Sequence, residues 1–216
     1  MSLSINNKDL TLDFDSYIAT RNLANPKKKS IKEAIPFSNV VYDFSAIDGE
    51  VYYEERELTY TIDIAEITAA EMETKRSELI KWLFGVHEDN IYDPYLGNYH
   101  LKGTFDSDSW AEDFGAGELG VTFLCYPYKI ANEVTENIFN INGSTSITVN
   151  NESSHPIIPT LTASVAMTIT INGSSYSIGA GTITDDRFKL AVGANTLTVN
   201  SSTAGTLKVS YFREVL

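Results

Sequence analysis

The residues best suited to nucleophilic or metal chemistry are one cysteine, Cys125, and three histidines, His87, His100 and His155. No two histidines stand at metal-ligand spacing, and one cysteine can form neither an internal disulfide nor a thiolate cage. Cys125 lies in the apolar run Val121-Thr-Phe-Leu-Cys-Tyr, where a thiol behaves as a small buried hydrophobe. No nucleophile-elbow string or second catalytic motif accompanies it. Gly115-Ala-Gly117-Glu-Leu-Gly120 matches a dinucleotide fingerprint as a string. That chemistry needs a helix N-terminus next, whereas a strand-like run ending at Pro127 follows, so a glycine-rich hairpin turn is expected. Asp106-x-Asp108 with Asp113 suggests a calcium loop. The fifth, sixth and twelfth positions of such a loop would hold Trp110, Ala111 and Gly117, which supply none of the required groups, so a solvated acidic turn is expected. The tyrosines Tyr92, Tyr95 and Tyr99 with Trp110 could stack on a sugar, but core or interface packing is the simpler role. The sequons at Asn142, Asn151, Asn172 and Asn200 read as turn residues. No catalytic residue, cofactor site or metal site emerges, and the sequence reads as non-enzymatic.

The chain of 216 residues is 43% hydrophobic and 11% aromatic, enough to bury a core. Its net charge is −13, so it should repel phosphate backbones; sequence-specific nucleic-acid binding is not expected. The start lacks a basic region followed by an apolar one, and no apolar run approaches the roughly 18–20 residues of a membrane helix. Synthesis and folding in a cytosol, without membrane insertion, are expected.

Composition changes near residue 133. Of 29 acidic and 16 basic side chains, 24 and 12 lie in residues 1–133, leaving 5 and 4 in residues 134–216. The second segment holds 24 Ser and Thr in 83 residues. Two domains, 1–133 and 134–216, are expected. In the first, strands are expected at Leu10–Phe14, Val40–Phe44, Leu58–Ile64 and Val121–Tyr126. One helix is expected over about 68–84, from the Thr68-x-x-Glu71 capping box through Met72, Leu79, Ile80 and Leu83 to a stop at Gly85. The polar passage from Arg21 to Glu33, interrupted by Pro26, reads as an exposed loop or projecting hairpin. In the second domain, short alternating runs at 146–149, 160–163, 167–171, 175–178, 187–190, 195–199 and 206–212 lie between turn signals such as Asn142-Gly and Asn172-Gly. They indicate an antiparallel sandwich.

The order of features in residues 1–132 resembles the N-terminal domain of phage distal tail (Dit) proteins. The resemblance rests on the lysine-bearing segment Asn25 to Lys32, the passage Asp48-Gly49-Glu50-Val-Tyr-Tyr-Glu-Glu-Arg-Glu-Leu-Thr-Tyr-Thr-Ile, and the helix ending Leu79-Ile-Lys-Trp82-Leu83. It continues through Asp93-Pro-Tyr-Leu-Gly-Asn-Tyr99-His-Leu-Lys-Gly to the closing Cys125-Tyr-Pro127-Tyr128-Lys129. The resemblance implies a mostly β chain: an N-terminal β-sandwich, related to tail-tube proteins, with one helix and a projecting arm, followed by a galectin-like sandwich. It implies a hexameric ring joining the tail tube to the tail tip or baseplate, with a lumen for DNA, at the virion tail tip, assembled in the host cytoplasm. Implied partners are further copies of the chain, the tail-tube protein, a tail tip or tail-associated lysin protein and a receptor-binding protein. The short second domain leaves no room for an inserted carbohydrate-binding module. The arm is assigned to Asn22–Ser38, with Lys27, Lys28, Lys29 and Lys32 facing acidic partners. An alternative is a carbohydrate-binding sandwich module on a virion or cell surface, and an enzyme is a third reading.

Overall fold

The computed structural model describes residues 2–46, 49–65, 68–113 and 116–216, and backbone only at Asp113. Asp48, Gly115 and the Asp113 side chain, which figured in the sequence motifs, lie outside the described residues. The chain divides into two compact units, Met1–Lys129 (with the terminal Leu216) and Ile130–Val215. Both are built on antiparallel strands. Among the described residues, no helix is long and apolar enough to cross a membrane.

In the first unit the strand Arg56–Ala65 is central, paired on one side with Tyr17–Leu23 and on the other with Ala116–Cys125. The sheet continues through Tyr99–Asp113 and Asp89–Tyr92 to the small hairpin Ser4–Ile5/Lys8–Asp9. Leu58, Tyr60, Ile62 and Ile64 all point into the core, as their alternation predicts. The helix Ala69–Leu83 covers that face with Met72, Leu79, Trp82 and Leu83. Its capping box forms: Thr68 Oγ1 accepts from the Glu71 amide, and the Glu71 carboxylate accepts from the Thr68 amide. The expected left-handed stop at Gly85 does not occur. The cap residue Phe84 stays right-handed, and the Gly85 amide donates to the Trp82 carbonyl at 3.2 Å, so a tightened last turn satisfies the free carbonyls.

Several expected strands differ. Leu10–Phe14 is a short helix, because the Asp9 carboxylate caps it by accepting from the Thr11 and Leu12 amides, and Asp15 closes it with φ 44°. Tyr17–Leu23, which contains part of the expected loop, is a strand of the main sheet. Within the expected Val40–Phe44 strand, Val41–Asp43 pairs only with Lys32–Ala34, outside that sheet. Gly117 and Gly120 lie within the strand that follows the hairpin, not in its turn. There the Trp110 ring covers Gly117, and a Cβ built on that glycine would sit 2.0 Å from a ring carbon. Asp106 and Asp108 are exposed residues of the Tyr99–Asp113 strand rather than a turn, with an irregularity in register between Phe105 and Ser107.

The second unit is a sandwich organised by the long element Gly193–Val215. Its first half pairs with Met167–Ile171, which pairs in turn with Ser174–Ile178. Its second half pairs with Thr160–Ala163, which pairs with Gly181–Thr184. Leu161, Ile169, Val199, Leu207 and Val209 are among the residues filling the core. The Asn172-Gly173 hairpin has φ of 50° and 79°, the two positive angles of a type I′ turn. Asn151 and Asn200 are strand residues rather than turn residues, and the Asn151 amide is buried, donating to the His155 and Leu190 carbonyls. Arg187–Leu190 is not a strand: Asp186–Phe188 forms a 3₁₀ turn capped by Asp185, whose carboxylate accepts from both the Arg187 amide and its guanidinium. That doubly engaged carboxylate titrates well below the usual range, chiefly through its hydrogen bonds with Arg187.

The Gly117–Trp110 contact leaves no space for a methyl group. Gly117→Ala should lower stability by about 1–3 kcal/mol, read as a drop in the urea midpoint of unfolding.

Candidate functional site

The described cysteine, histidines and aromatics considered for chemistry each have a place in the fold. Cys125 is fully buried opposite Gly103 on one neighbouring strand and Arg56 on the other. Burial pushes its thiol up to about 12, and the nearby Arg56 guanidinium offsets only part of that. A thiol held in this way is a core side chain rather than a nucleophile. His100 is buried with its ring 5.0 Å from that of Tyr92, His87 is exposed, and His155 meets Glu214 at 2.7 Å in the second unit. Among the described residues, no three His, Cys, Asp or Glu side chains come together as a metal site would require. The aromatic group is dispersed in role: Tyr95 is exposed beneath the Arg21 guanidinium, Trp110 packs on the core under Arg76, and Tyr92 is on the surface.

What the structure does assemble is a two-stranded ribbon projecting from the main sheet. The strands Tyr17–Leu23 and Arg56–Ala65 run on beyond their last sheet pair. The Ala24 amide donates to Glu57, the Glu54 amide to Lys27 and the Lys29 amide to Tyr52, each at 2.7–2.9 Å. Further out, Phe44 donates to Ile31 at 2.8 Å, Lys32–Ala34 pairs with Val41–Asp43, and Ile35 accepts from the Ser38 amide near the tip. Asn22 and Leu23 therefore belong to the main sheet, and the passage from Ala24 to Ser38 is one leg of the ribbon.

The ribbon has two unlike faces. Since partners across a ladder share a face and neighbours along a strand alternate, Ile31, Glu33 and Ile35 lie on the same face as Phe44, Tyr42 and Val40. Tyr42 and Phe44 touch, with ring centroids 6.1 Å apart. Ile31, Val40, Tyr42 and Phe44 on this face are exposed, as are Val41 on the opposite face, Phe37 at the tip and Val51 and Tyr52 on the stem. Phe37 also holds φ 62°, a left-handed conformation that costs a residue with a side chain about 1–2 kcal/mol. Lys32 meets Asp43 at 3.8 Å across its own hairpin. Lys27, Lys28 and Lys29 are exposed on the stem and have no ion-pair partner among the described residues. A two-stranded ribbon is at best marginal alone, and exposed apolar side chains of this number are uncommon on a surface that stays in solvent.

The stem is anchored at Asp93. Its side chain is completely buried and accepts from the Tyr60 hydroxyl at 2.8 Å, from the Tyr95 amide at 2.9 Å and from the Arg21 guanidinium. Arg21 and Tyr60 are direct partners across the two strands that continue as the ribbon. Burial, followed by the Asp93 charge, raises the Tyr60 phenol far above its ordinary range, so it remains a donor. Sequence reasoning placed Arg21 in a loop and gave Asp93 no partner. Its signal was local: an Asp before Pro94 at the start of a 3₁₀ turn.

A third feature is the outward face of the central strands. Opposite the core, Arg56–Ala65 presents Glu57, Thr59, Thr61 and Asp63, while Ala116–Cys125 presents Glu118, Gly120 and Thr122. Asp63 and Glu118 are direct cross-strand partners, and neither has an ion-pair partner among the described residues. Like charges placed so oppose the pairing of their strands. No lysine or arginine projects outward from either strand.

No family model matches the sequence, and no curated protein matches it. A solved structure does match in three dimensions. It is the crystal structure of the SPP1 Dit (gp 19.1) protein, described as a paradigm of the hub adsorption apparatus in phages infecting Gram-positive bacteria. The similarity covers 100% of this chain and 99% of that one, with a TM-score of 0.73 and 14% identity. The chain has the Dit fold. That correspondence runs from end to end, so the strand-rich architecture with one main helix is the Dit architecture in both units. It also bears out the likeness to Dit proteins read from residues 1–132.

The buried thiol generates the prediction here. Native protein should resist maleimide labelling at pH 8, with rapid labelling after unfolding. The folded state holds the Cys125 proton more tightly than the unfolded chain, whose thiol takes the ordinary value of 9.0. The corresponding stability is therefore complete below pH 9 and falls as pH rises toward about 12. Denaturant titrations across that window should show the decline, and Cys125→Ala should remove the part that begins near pH 9, leaving the part that the buried Tyr60 phenol adds as pH rises above its ordinary value.

Proposed function

We propose that the chain is a distal tail protein: a non-catalytic structural subunit of a hexameric ring that joins a phage or prophage tail tube to the tail tip or baseplate. The observation carrying this reading is the end-to-end Dit fold, spanning nearly the whole of both chains. Its partners are further copies of itself, the tail-tube protein, and a tail tip or tail-associated lysin protein, with a receptor-binding protein beyond. Its place is the virion tail tip, after assembly in the host cytoplasm. In this reading residues 1–133 form the ring and residues 134–216 are a galectin-like sandwich.

The ribbon is the inter-subunit arm. A closed cyclic ring needs two different patches on each subunit, and an arm reaching onto a neighbour supplies one. Burial of the apolar ribbon face is the main attraction, at roughly 1.5–3 kcal/mol for each large side chain covered. Lys27, Lys28 and Lys29 add attraction to the acidic neighbour, about 0–1 kcal/mol for each exposed pair. Lys32, already close to Asp43, contributes least.

Two variants separate these contributions. Phe37→Ser with Tyr42→Ser should leave a folded chain by circular dichroism and abolish rings in mass photometry at any salt concentration. Replacing the four lysines with glutamate should weaken rings most at low salt, where screening is least. Rings of undiminished stability in both variants would show that the ribbon is a surface loop without a partner.

The outward face of these two strands suits the lumen, since carboxylates and hydroxyls without lysine or arginine let a polyanion slide without adhering. Asp63→Lys with Glu118→Lys should give assembled particles with salt-dependent affinity for duplex DNA and slowed genome ejection. Unchanged ejection and no DNA retention would place another face on the channel.

A further inference from the structure

In the first unit, a groove of about 360 Å³ is lined by Ser4 and Ile5 with the turn that follows them, and by the passage from Glu88 to Tyr92 that pairs directly with that strand. Asn6, Asn7, Glu88, Asp89, Asn90 and Tyr92 contribute to its walls. The hairpin turn Asn6-Asn7 has φ of 53° and 61°, the type I′ geometry that two asparagines tolerate. Glu88, at φ 54°, holds a left-handed conformation without that tolerance.

The occupied and free groups narrow the ligand chemistry. Asp89 already accepts from the Asn6 amide at 2.8 Å and from the His87 backbone at 2.9 Å, and these bonds hold its carboxyl below the ordinary carboxylate value. Glu88 is engaged with Lys102 at 3.1 Å. Both carboxylates are thus committed, which disfavours a metal ion, and their charge disfavours an anion. The Asn7 and Asn90 side chains have no partner among the described residues, and both are exposed. A primary amide both donates and accepts, the pattern that matches adjacent hydroxyls. Tyr92 adds a surface-exposed ring on the same wall, an apolar face with a polar tip.

We propose that this groove binds a neutral saccharide, with Asn7 and Asn90 bonding ring hydroxyls and Tyr92 stacking on a pyranose face. Ligand pockets span about 300–1,000 Å³, and this one, at about 360 Å³, is at the small end of that range. The inference does not depend on ring formation, and its test uses the isolated full chain.

Saturation-transfer NMR against glucose, galactose, N-acetylglucosamine, N-acetylgalactosamine, maltose and cellobiose tests it. At least one sugar should receive saturation, and Tyr92→Ala or Asn90→Ala should each weaken its binding by about fivefold or more, as loss of one polar or stacking contact does. Both side chains are exposed, so the variants should fold, which circular dichroism checks. No transfer to any of the six sugars would overturn the proposal, as would transfer unchanged in the folded double variant. Saturable calorimetric binding of calcium or inorganic phosphate that the same substitutions abolish would also overturn it.

Discussion

The buried carboxylate of Asp93 is the constraint on which the rest of the first unit depends. It joins three separate parts of the chain through Arg21, Tyr60 and the Tyr95 amide. A completely buried charge without partners is costly, and removing one partner of such a pair costs about 3–5 kcal/mol. Arg21 and Tyr60 also fix the register of the two strands from which the ribbon grows. A slip by one residue would turn the apolar set of Leu58 to Ile64 outward and place Asp63 in the core. The core, the ribbon direction and the charge pattern of the outer face therefore follow from one pairing.

The central strand is sandwiched by two neighbours, yet its two faces follow opposite rules. Inward, Leu58, Tyr60, Ile62 and Ile64 pack under the helix, and hydrophobic burial dominates. Outward, Asp63 stands directly against Glu118, an arrangement that detracts from stability. A protein that tolerates this with no lysine or arginine outward on either strand keeps these strands negative at its own expense. The same economy applies to Phe37, whose backbone conformation costs energy while its ring stays in solvent.

Features governed by local pattern were legible in the sequence. The alternation from Leu58 to Ile64 and the Thr68–Glu71 capping box carry their own physical cause, and both elements form. Leu10–Phe14 misled because its β-prone composition yields to the cap at Asp9, a single side chain. Val40–Phe44 also has strand chemistry, but nothing local says that its strand would pair in a ribbon with one face left open. The Asp93 contacts span 33 residues to Tyr60 and 72 to Arg21, so only the fold brings them together. The groove beside Asn6 was likewise hidden, since Asn6 and Asp89 are 83 residues apart.

The apolar-faced ribbon has a thermodynamic consequence for assembly. Two strands alone scarcely offset their own ordering entropy, so on the proposed reading much of that cost would be carried by association rather than by folding. In the proposed ring, one arm on one neighbour would then be a weak contact, and open chains of subunits would dissociate readily. In a closed ring the last contact forms within one particle, at an effective concentration set by geometry rather than by the bulk solution. In the proposed ring, subunits of this kind would therefore assemble steeply over a narrow range of concentration, dispersed below it and closed above it.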